Sequence, residues 1–145
     1  MFNPRHIYTL LLWLLLPYVF IHLLWRARKQ PEYLQHIAER FGFYSIKSSR
    51  CIIWLHTVSV GETRAAASLV QRLQAAYPNH QILLTHTTPT GRDASKQLYG
   101  DRVLRVYLPY DYPFTVRRFL RHFKPQVGVL LETEIWFNLI HGCHD

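Results

Sequence analysis

One uninterrupted apolar run limits what this chain can become: from Ile7 to Trp25 the residues are Ile-Tyr-Thr-Leu-Leu-Leu-Trp-Leu-Leu-Leu-Pro-Tyr-Val-Phe-Ile-His-Leu-Leu-Trp, with no formal charge. About twenty residues at a helical rise of ~1.5 Å match a hydrocarbon core of ~30 Å. Tyr8 and Trp25 stand near the two ends, where amphipathic rings favour the membrane interface. Arg26, Arg28 and Lys29 follow at once, whereas only Arg5 and the α-amino group precede the run. The heavier positive flank predicts that the rest of the chain faces the cytoplasm. A cleaved leader would need a shorter apolar core and small residues at its end, and Leu23, Leu24 and Trp25 are bulky. Pro17 and His22 leave a helix lying in the interface open as the alternative to a span. Residues 1–29 therefore read as a membrane anchor with a basic flank.

Residues 30–50 form a polar connector. Pro31 can open a short helix through Glu32 to Arg40, and Gly42 suits a left-handed stop. From Cys51 onward, apolar runs alternate with helical stripes. Strands are expected at 51–58, 81–87, 102–108 and 127–131. Helices are expected at 62–77, 91–99 and 114–123. This alternation predicts βαβ units, hence an α/β domain over 51–145 with a parallel sheet and helices on both faces. A length of 145 residues supports one such domain.

The formal charge of +8, from 17 Lys and Arg against 9 Asp and Glu, favours polyanionic partners. No nucleic-acid-reading motif accompanies it, so an anionic lipid surface or a phosphorylated lipid is the better fit. Two distant cysteines, Cys51 and Cys143, give neither a disulfide framework nor zinc spacing. The nine histidines are mostly scattered, and His141, Cys143 and His144 lack a tetrahedral ligand pattern, so no metal site is expected.

Parallel α/β sheets place chemistry at the carboxyl ends of their strands. Three loops there carry unusual residues: Ser59-Val60-Gly61-Glu62, then Thr87-Thr88-Pro89-Thr90-Gly91, then Glu132-Thr133-Glu134-Ile135-Trp136. Each also has a plain structural reading. Ser59 with Glu62 is a capping-box pattern, the Thr-Pro-Thr-Gly run can be a turn with Thr90 as the next cap, and two nearby acids can be a solvated loop. On the helix 114–123, Arg117, Arg121 and Lys124 fall on one stripe with Arg118 beside it. That stripe is either a solvated face or a contact for lipid headgroups and phosphates.

Taken in order, these motifs resemble the Kdo (3-deoxy-D-manno-octulosonic acid) transferases. The resemblance rests on the apolar start and its basic flank, then Glu39-Arg40-Phe41-Gly42. It continues through His56, Ser59, Gly61 and Glu62 as His-x-x-Ser-x-Gly-Glu, Thr88-Pro89-Thr90-Gly91, and Leu108-Pro109-Tyr110-Asp111. It ends on Glu132, Thr133, Glu134, Trp136 and Asn138 as Glu-Thr-Glu-x-Trp-x-Asn. Phe137 stands where the family has proline.

The resemblance implies the N-terminal Rossmann-like domain of a GT-B glycosyltransferase, anchored at the bacterial inner membrane with its body on the cytoplasmic side. It implies transfer of Kdo from CMP-Kdo to the lipid A precursor, without a cofactor. Glu62 is the implied general base. Ser59, Gly61, Thr88, Pro89, Thr90, Gly91, Glu132 and Glu134 are the implied acceptor-side support, and Arg117, Arg118 and Arg121 the lipid or phosphate contacts. Family members are more than twice this length, so the chain is expected to be an acceptor-side half lacking the CMP-Kdo domain and inactive alone. The alternative is a membrane-anchored half-domain that binds lipid or a partner without catalysis.

Overall fold

The computed structural model describes residues 4–131 and 136–144. Helix α1 runs Pro4–Lys29, and two 3₁₀ turns at Pro31–Leu34 and Ile37–Phe41 follow it. The body is then β1 (Ile52–His56), α2 (Val60–Ala65), α3 (Ala67–Ala76), β2 (Gln81–His86), α4 (Pro89–Tyr99), β3 (Leu104–Tyr107), α5 (Pro113–Phe123), β4 (Val127–Leu130) and α6 (Phe137–His144).

The strands form one parallel sheet in the order β3-β2-β1-β4 among the described residues. All of β1 is buried, as a parallel strand covered on both faces must be, yet its side chains still alternate. Ile52 and Trp54 join Leu83, Val106, Val116, Phe119, Phe123 and Leu139 on one face. Ile53 and Leu55 join Ala66, Val70, Ile82, Leu84, Tyr99 and Val103 on the other. Thus α3 and α4 cover one face, while α5 and α6 cover the opposite one. Trp54 keeps its indole satisfied by donating to Thr85 Oγ1 at 2.8 Å, and its ring occupies the place where Gly128, its register partner on β4, has no side chain.

Two expected helices are subdivided. The stripe over 62–77 breaks at Ala66 because the Thr63 carbonyl accepts the Tyr99 hydroxyl at 2.6 Å. The helix expected over 32–40 is replaced by the two 3₁₀ turns, separated by His36 in the left-handed region at φ 54°. That break lets Glu39 and Arg40 both turn into the body, where they are buried. Gly42 stops the second turn at φ 80°, as its position predicts.

Helix α1 lies against the body along its length. Near its start, Tyr8 donates to Asp111 at 2.9 Å and Thr9 to Asn138 at 3.2 Å. Tyr112 donates to the Leu12 carbonyl at 2.7 Å, and Trp13 packs on Tyr112 and Phe114. Towards its end, Phe20 stacks on Phe41, Leu23 and Ala27 are buried, and Arg26 lies over the Tyr33 ring.

Candidate active site

In the order β3-β2-β1-β4 the chain crosses from one edge of the sheet to the other between β3 and β4, passing to the opposite face through α5. The strand order therefore reverses between β1 and β4. After β1 the chain goes to α3 on one face, and α6, which follows β4 in sequence, covers the other; in parallel α/β sheets such a reversal is where binding crevices form. The loop after β1 carries Ser59, Gly61 and Glu62 to this point. Leu131, just past β4, donates to the His56 carbonyl at 3.1 Å and holds the two strand ends together. Glu132 and Glu134 lie outside the described residues.

The β1 loop is tightly tied. Ser59 is the N-cap of α2, its Oγ accepting the Glu62 N–H at 3.4 Å. The Glu62 carboxylate reaches back, accepting the Val58 N–H at 2.6 Å through Oε2 and the Ser59 hydroxyl through Oε1. This is the reciprocal capping arrangement displaced by one residue, because the carboxylate takes the Val58 amide rather than that of the cap. Glu62 is half-buried. Capping fixes the carboxylate's position at the start of α2.

The Thr-Pro-Thr-Gly run braces this loop. Thr88, rather than Thr90, is the N-cap of α4, accepting the Gly91 N–H at 3.2 Å and donating to the Val58 carbonyl at 3.0 Å. Pro89 starts the helix, where its missing N–H costs nothing, and Thr90 is exposed. A Cβ on Gly91 would meet the Val58 carbonyl at 2.9 Å. Glycine is what allows the two loops to close together, so Val58 joins Glu62 to Thr88 through its two backbone groups.

Beneath the loops, two histidines end β1 and β2. His56 Nδ1 lies 3.1 Å from the Thr85 carbonyl, and His86 Nδ1 lies 3.0 Å from the Thr57 carbonyl. A carbonyl only accepts, so a proton on Nδ1 serves these contacts; the Thr85 and Thr57 hydroxyls lie beside the same nitrogens at 2.9 Å and 3.1 Å. Burial lowers His56 to about 4 and His86 to about 3, so both are neutral near pH 7. They are buried beneath the β1 and β2 loops.

A pocket of about 210 Å³ opens at the same sheet edge, lined by Thr87, Thr88, Arg40, Tyr110 and Trp136 from the body and by Leu23 and Arg26 from α1. The residues that support it belong to the family motifs, but the sequence pattern alone assigns them no role. Glu39 accepts the Tyr107 N–H at 2.7 Å and pairs with Arg92 at 2.6 Å. Arg40 donates to the Thr87 carbonyl at 2.9 Å and lies 4.1 Å over the Tyr107 ring. Asp111 accepts the N–H groups of Asn138 at 3.0 Å and Leu139 at 2.8 Å, capping α6 from outside that helix. Burial pushes the Asp111 carboxyl above its usual range, against the downward pull of its hydrogen bonds from Asn138, Tyr8 and Leu139. The sequence signal for these residues is their place in the Glu39-Arg40-Phe41-Gly42 and Leu108-Pro109-Tyr110-Asp111 segments.

The basic stripe of α5 divides. Arg117 and Arg121 line a groove of about 450 Å³ between α5 and α6, with Arg5, Lys124, Val116 and Leu120. Arg118 turns the other way, donating to the Phe41 carbonyl at 3.2 Å and stacking on Phe43 and Phe114. Glu62 does not line the larger groove. The reversal of strand order is the firmer guide to chemistry, since it brings the braced carboxylate beside the carboxyl ends of β1 and β4.

Comparison with known proteins decides the family. The model of the 3-deoxy-D-manno-octulosonic-acid transferase (kdotransferase) N-terminal domain matches residues 35–145. This chain belongs to that family. A 3-deoxy-D-manno-octulosonic acid transferase of Haemophilus influenzae is 41% identical over 141 residues, covering 94% of this chain and 33% of the relative. One from Bordetella pertussis is 40% identical over 146 residues, with the same two coverages. A probable mitochondrial 3-deoxy-D-manno-octulosonic acid transferase of Arabidopsis thaliana is 34% identical over 125 residues, covering 86% of this chain and 28% of the relative. The chain thus spans about a third of the length of these two bacterial relatives. The parallel α/β fold is that expected of the N-terminal domain of a GT-B Kdo transferase.

Proposed function

We propose that this chain supplies the acceptor side of a Kdo glycosyltransferase acting in lipopolysaccharide biosynthesis, taking Kdo from CMP-Kdo to the lipid A precursor. The observation that carries the reading is the Glu62 carboxylate, fixed by Val58 and Ser59 at the reversal of strand order. Glu62 accepts the proton of an acceptor hydroxyl as that oxygen attacks the anomeric carbon of Kdo. The new C–O bond forms as the bond from Kdo to the phosphate of CMP breaks, with inversion of configuration, and CMP leaves with the electron pair. Ser59, Gly61, Thr88, Pro89, Thr90 and Gly91 shape the acceptor side of the crevice, together with Glu132 and Glu134. CMP-Kdo is held by a second, donor-binding domain facing the crevice. Arg117, Arg118 and Arg121 meet anionic lipid groups, and residues 1–29 hold the domain to the cytoplasmic face of the inner membrane, joined by 30–50 to the domain 51–145.

A chimaera tests the base. This chain replaces the matching third of the Haemophilus influenzae relative, and Glu62→Gln is compared with the parent chimaera at matched folded concentration. Gln keeps the shape and one oxygen acceptor, so acceptor binding should persist while turnover falls by about 10²–10⁴. Equal turnover of the two reduces Glu62 to a capping residue. Loss of folding without loss of specific activity leads to the same conclusion.

A further inference from the structure

We propose that α1 lies flat in the cytoplasmic membrane interface, as one rigid unit with the body, rather than crossing the bilayer. The proposal concerns placement and stands apart from the chemistry assigned to Glu62. Its basis is where α1 touches the body. Contacts begin at Tyr8, Thr9, Leu12 and Trp13 and recur at Phe20, Leu23 and Arg26. From Tyr8 to Arg26 the helix rises about 27 Å, nearly the thickness of the hydrocarbon core. If α1 spanned with Arg26, Arg28 and Lys29 at the cytoplasmic surface, Tyr8 would lie near the far interface. Asp111 and Asn138, buried polar partners that cap and start α6, would have to follow it across the hydrocarbon. A carboxylate-capped helix start and a parallel sheet edge cannot be placed there without severe desolvation cost. The docked helix and the spanning helix are therefore exclusive.

The face of α1 turned from the body is suited to lipid. Ile7, Leu11, Leu14, Tyr18, Ile21 and Trp25 are each at least half exposed. Their spacing of three and four residues puts them on one side of the helix. Arg26, Arg28 and Lys29 stand in its last turn, suited to an anionic surface. The surface continues onto the body. Phe114 stacks on Trp13, and exposed Phe43 lies under the Arg118 guanidinium at 4.2 Å. The occupant is the headgroup and upper acyl region of an anionic bilayer. Flat placement also sets Leu23 and Arg26 beside Thr87 and Thr88 as one wall of the 210 Å³ pocket, at headgroup level.

The test uses the whole chain with Cys51→Ser and Cys143→Ser, bound to vesicles of phosphatidylethanolamine and phosphatidylglycerol. Nitroxides placed singly at Ile7→Cys, Leu14→Cys and Ile21→Cys report depth by their relative accessibility to oxygen and a water-soluble nickel chelate. The expected result is one shared shallow depth, about 5–10 Å into the headgroup boundary. A label at Leu14 near the bilayer centre, with Ile7 and Ile21 shallow, overturns the proposal. Independently, a short dithiol-specific crosslinker should join Trp13→Cys to Phe114→Cys in vesicle-bound protein, since both native rings are partly exposed and replaceable. Bound protein that crosslinks in detergent but not on vesicles also overturns it. Substituting phosphatidylcholine for phosphatidylglycerol should weaken binding about five-fold or more, the share of one Arg or Lys near an anionic surface. Equal binding to both vesicles refutes the anionic-lipid assignment.

Discussion

Replacing Glu39 by alanine should be among the most damaging single changes available in the body. Glu39 is 7% exposed. Its Oε2 accepts Arg92 at 2.6 Å and the Tyr107 N–H at 2.7 Å. Two guanidinium groups share the Tyr107 ring, Arg40 at 4.1 Å and Arg92 at 4.9 Å from its centroid. Among the described residues Glu39 is the carboxylate paired with Arg92. Alanine would leave an unpaired buried N–H, costing about 1–3 kcal/mol, and would leave the Arg92 guanidinium without its carboxylate. Breaking one partner of a buried pair costs about 3–5 kcal/mol, a range that already contains much of the amide term. Both side chains of the pair are nearly covered, at 13% and 10% exposure, so solvent screening does not reduce this. Urea unfolding in mild detergent, followed by circular dichroism, should show the midpoint fall at unchanged slope. In thermal scans the same loss is about 6–20 °C. Glu39→Gln keeps an acceptor for Tyr107 and should lose roughly half as much, and adding Arg92→Met to it should recover stability. If Glu39→Ala costs under about 1 kcal/mol, the pair behaves as a surface ion pair and the argument from burial fails.

Gly128→Ala would place a Cβ 2.5 Å from the Trp54 ring. Overpacking of this kind should cost about 1–3 kcal/mol in the same urea assay, and a neutral result would show that Trp54 can shift freely. Gly42→Ala meets both a φ of 80° and a Cβ 2.8 Å from the Thr115 carbonyl, so it should destabilise by about 1–3 kcal/mol; wild-type stability would count against the left-handed cap. Because His56 and His86 are lowered from 6.5 to about 4 and about 3, the unfolded chain binds protons first as pH falls. Stability is full above pH 6.5 and should fall by about 1.4 kcal/mol per pH unit per histidine until each folded value is reached. Asp111, whose folded carboxyl is raised, acts in the opposite sense below its own range. A urea midpoint that stays level from about pH 7 to about pH 5 would disprove the buried-histidine account.

The order and type of the body's elements were legible in the sequence because each is set by local periodicity. The apolar run Cys51–Val58, the stripe ending before Pro78 and the run Val127–Leu131 all fall where β1, α3 and β4 lie. Ser59 with Glu62 was readable as a cap for the same reason: both partners lie within one helical turn. Spacing favours Thr90 as the α4 cap, yet Thr88 holds that place, because spacing cannot tell which hydroxyl faces the helix. The Thr88 side chain is fixed by the Val58 carbonyl, distant along the chain. Glu39, Arg40 and Asp111 escaped assignment because their partners Tyr107, Thr87 and Asn138 are brought near only by folding. The apolar length of α1 is likewise written in the sequence, and it fixes that the helix must leave water. Which way it lies is decided by Tyr8, Thr9 and Trp13 meeting Asp111, Asn138 and Phe114, contacts between distant parts of the chain that no local pattern encodes.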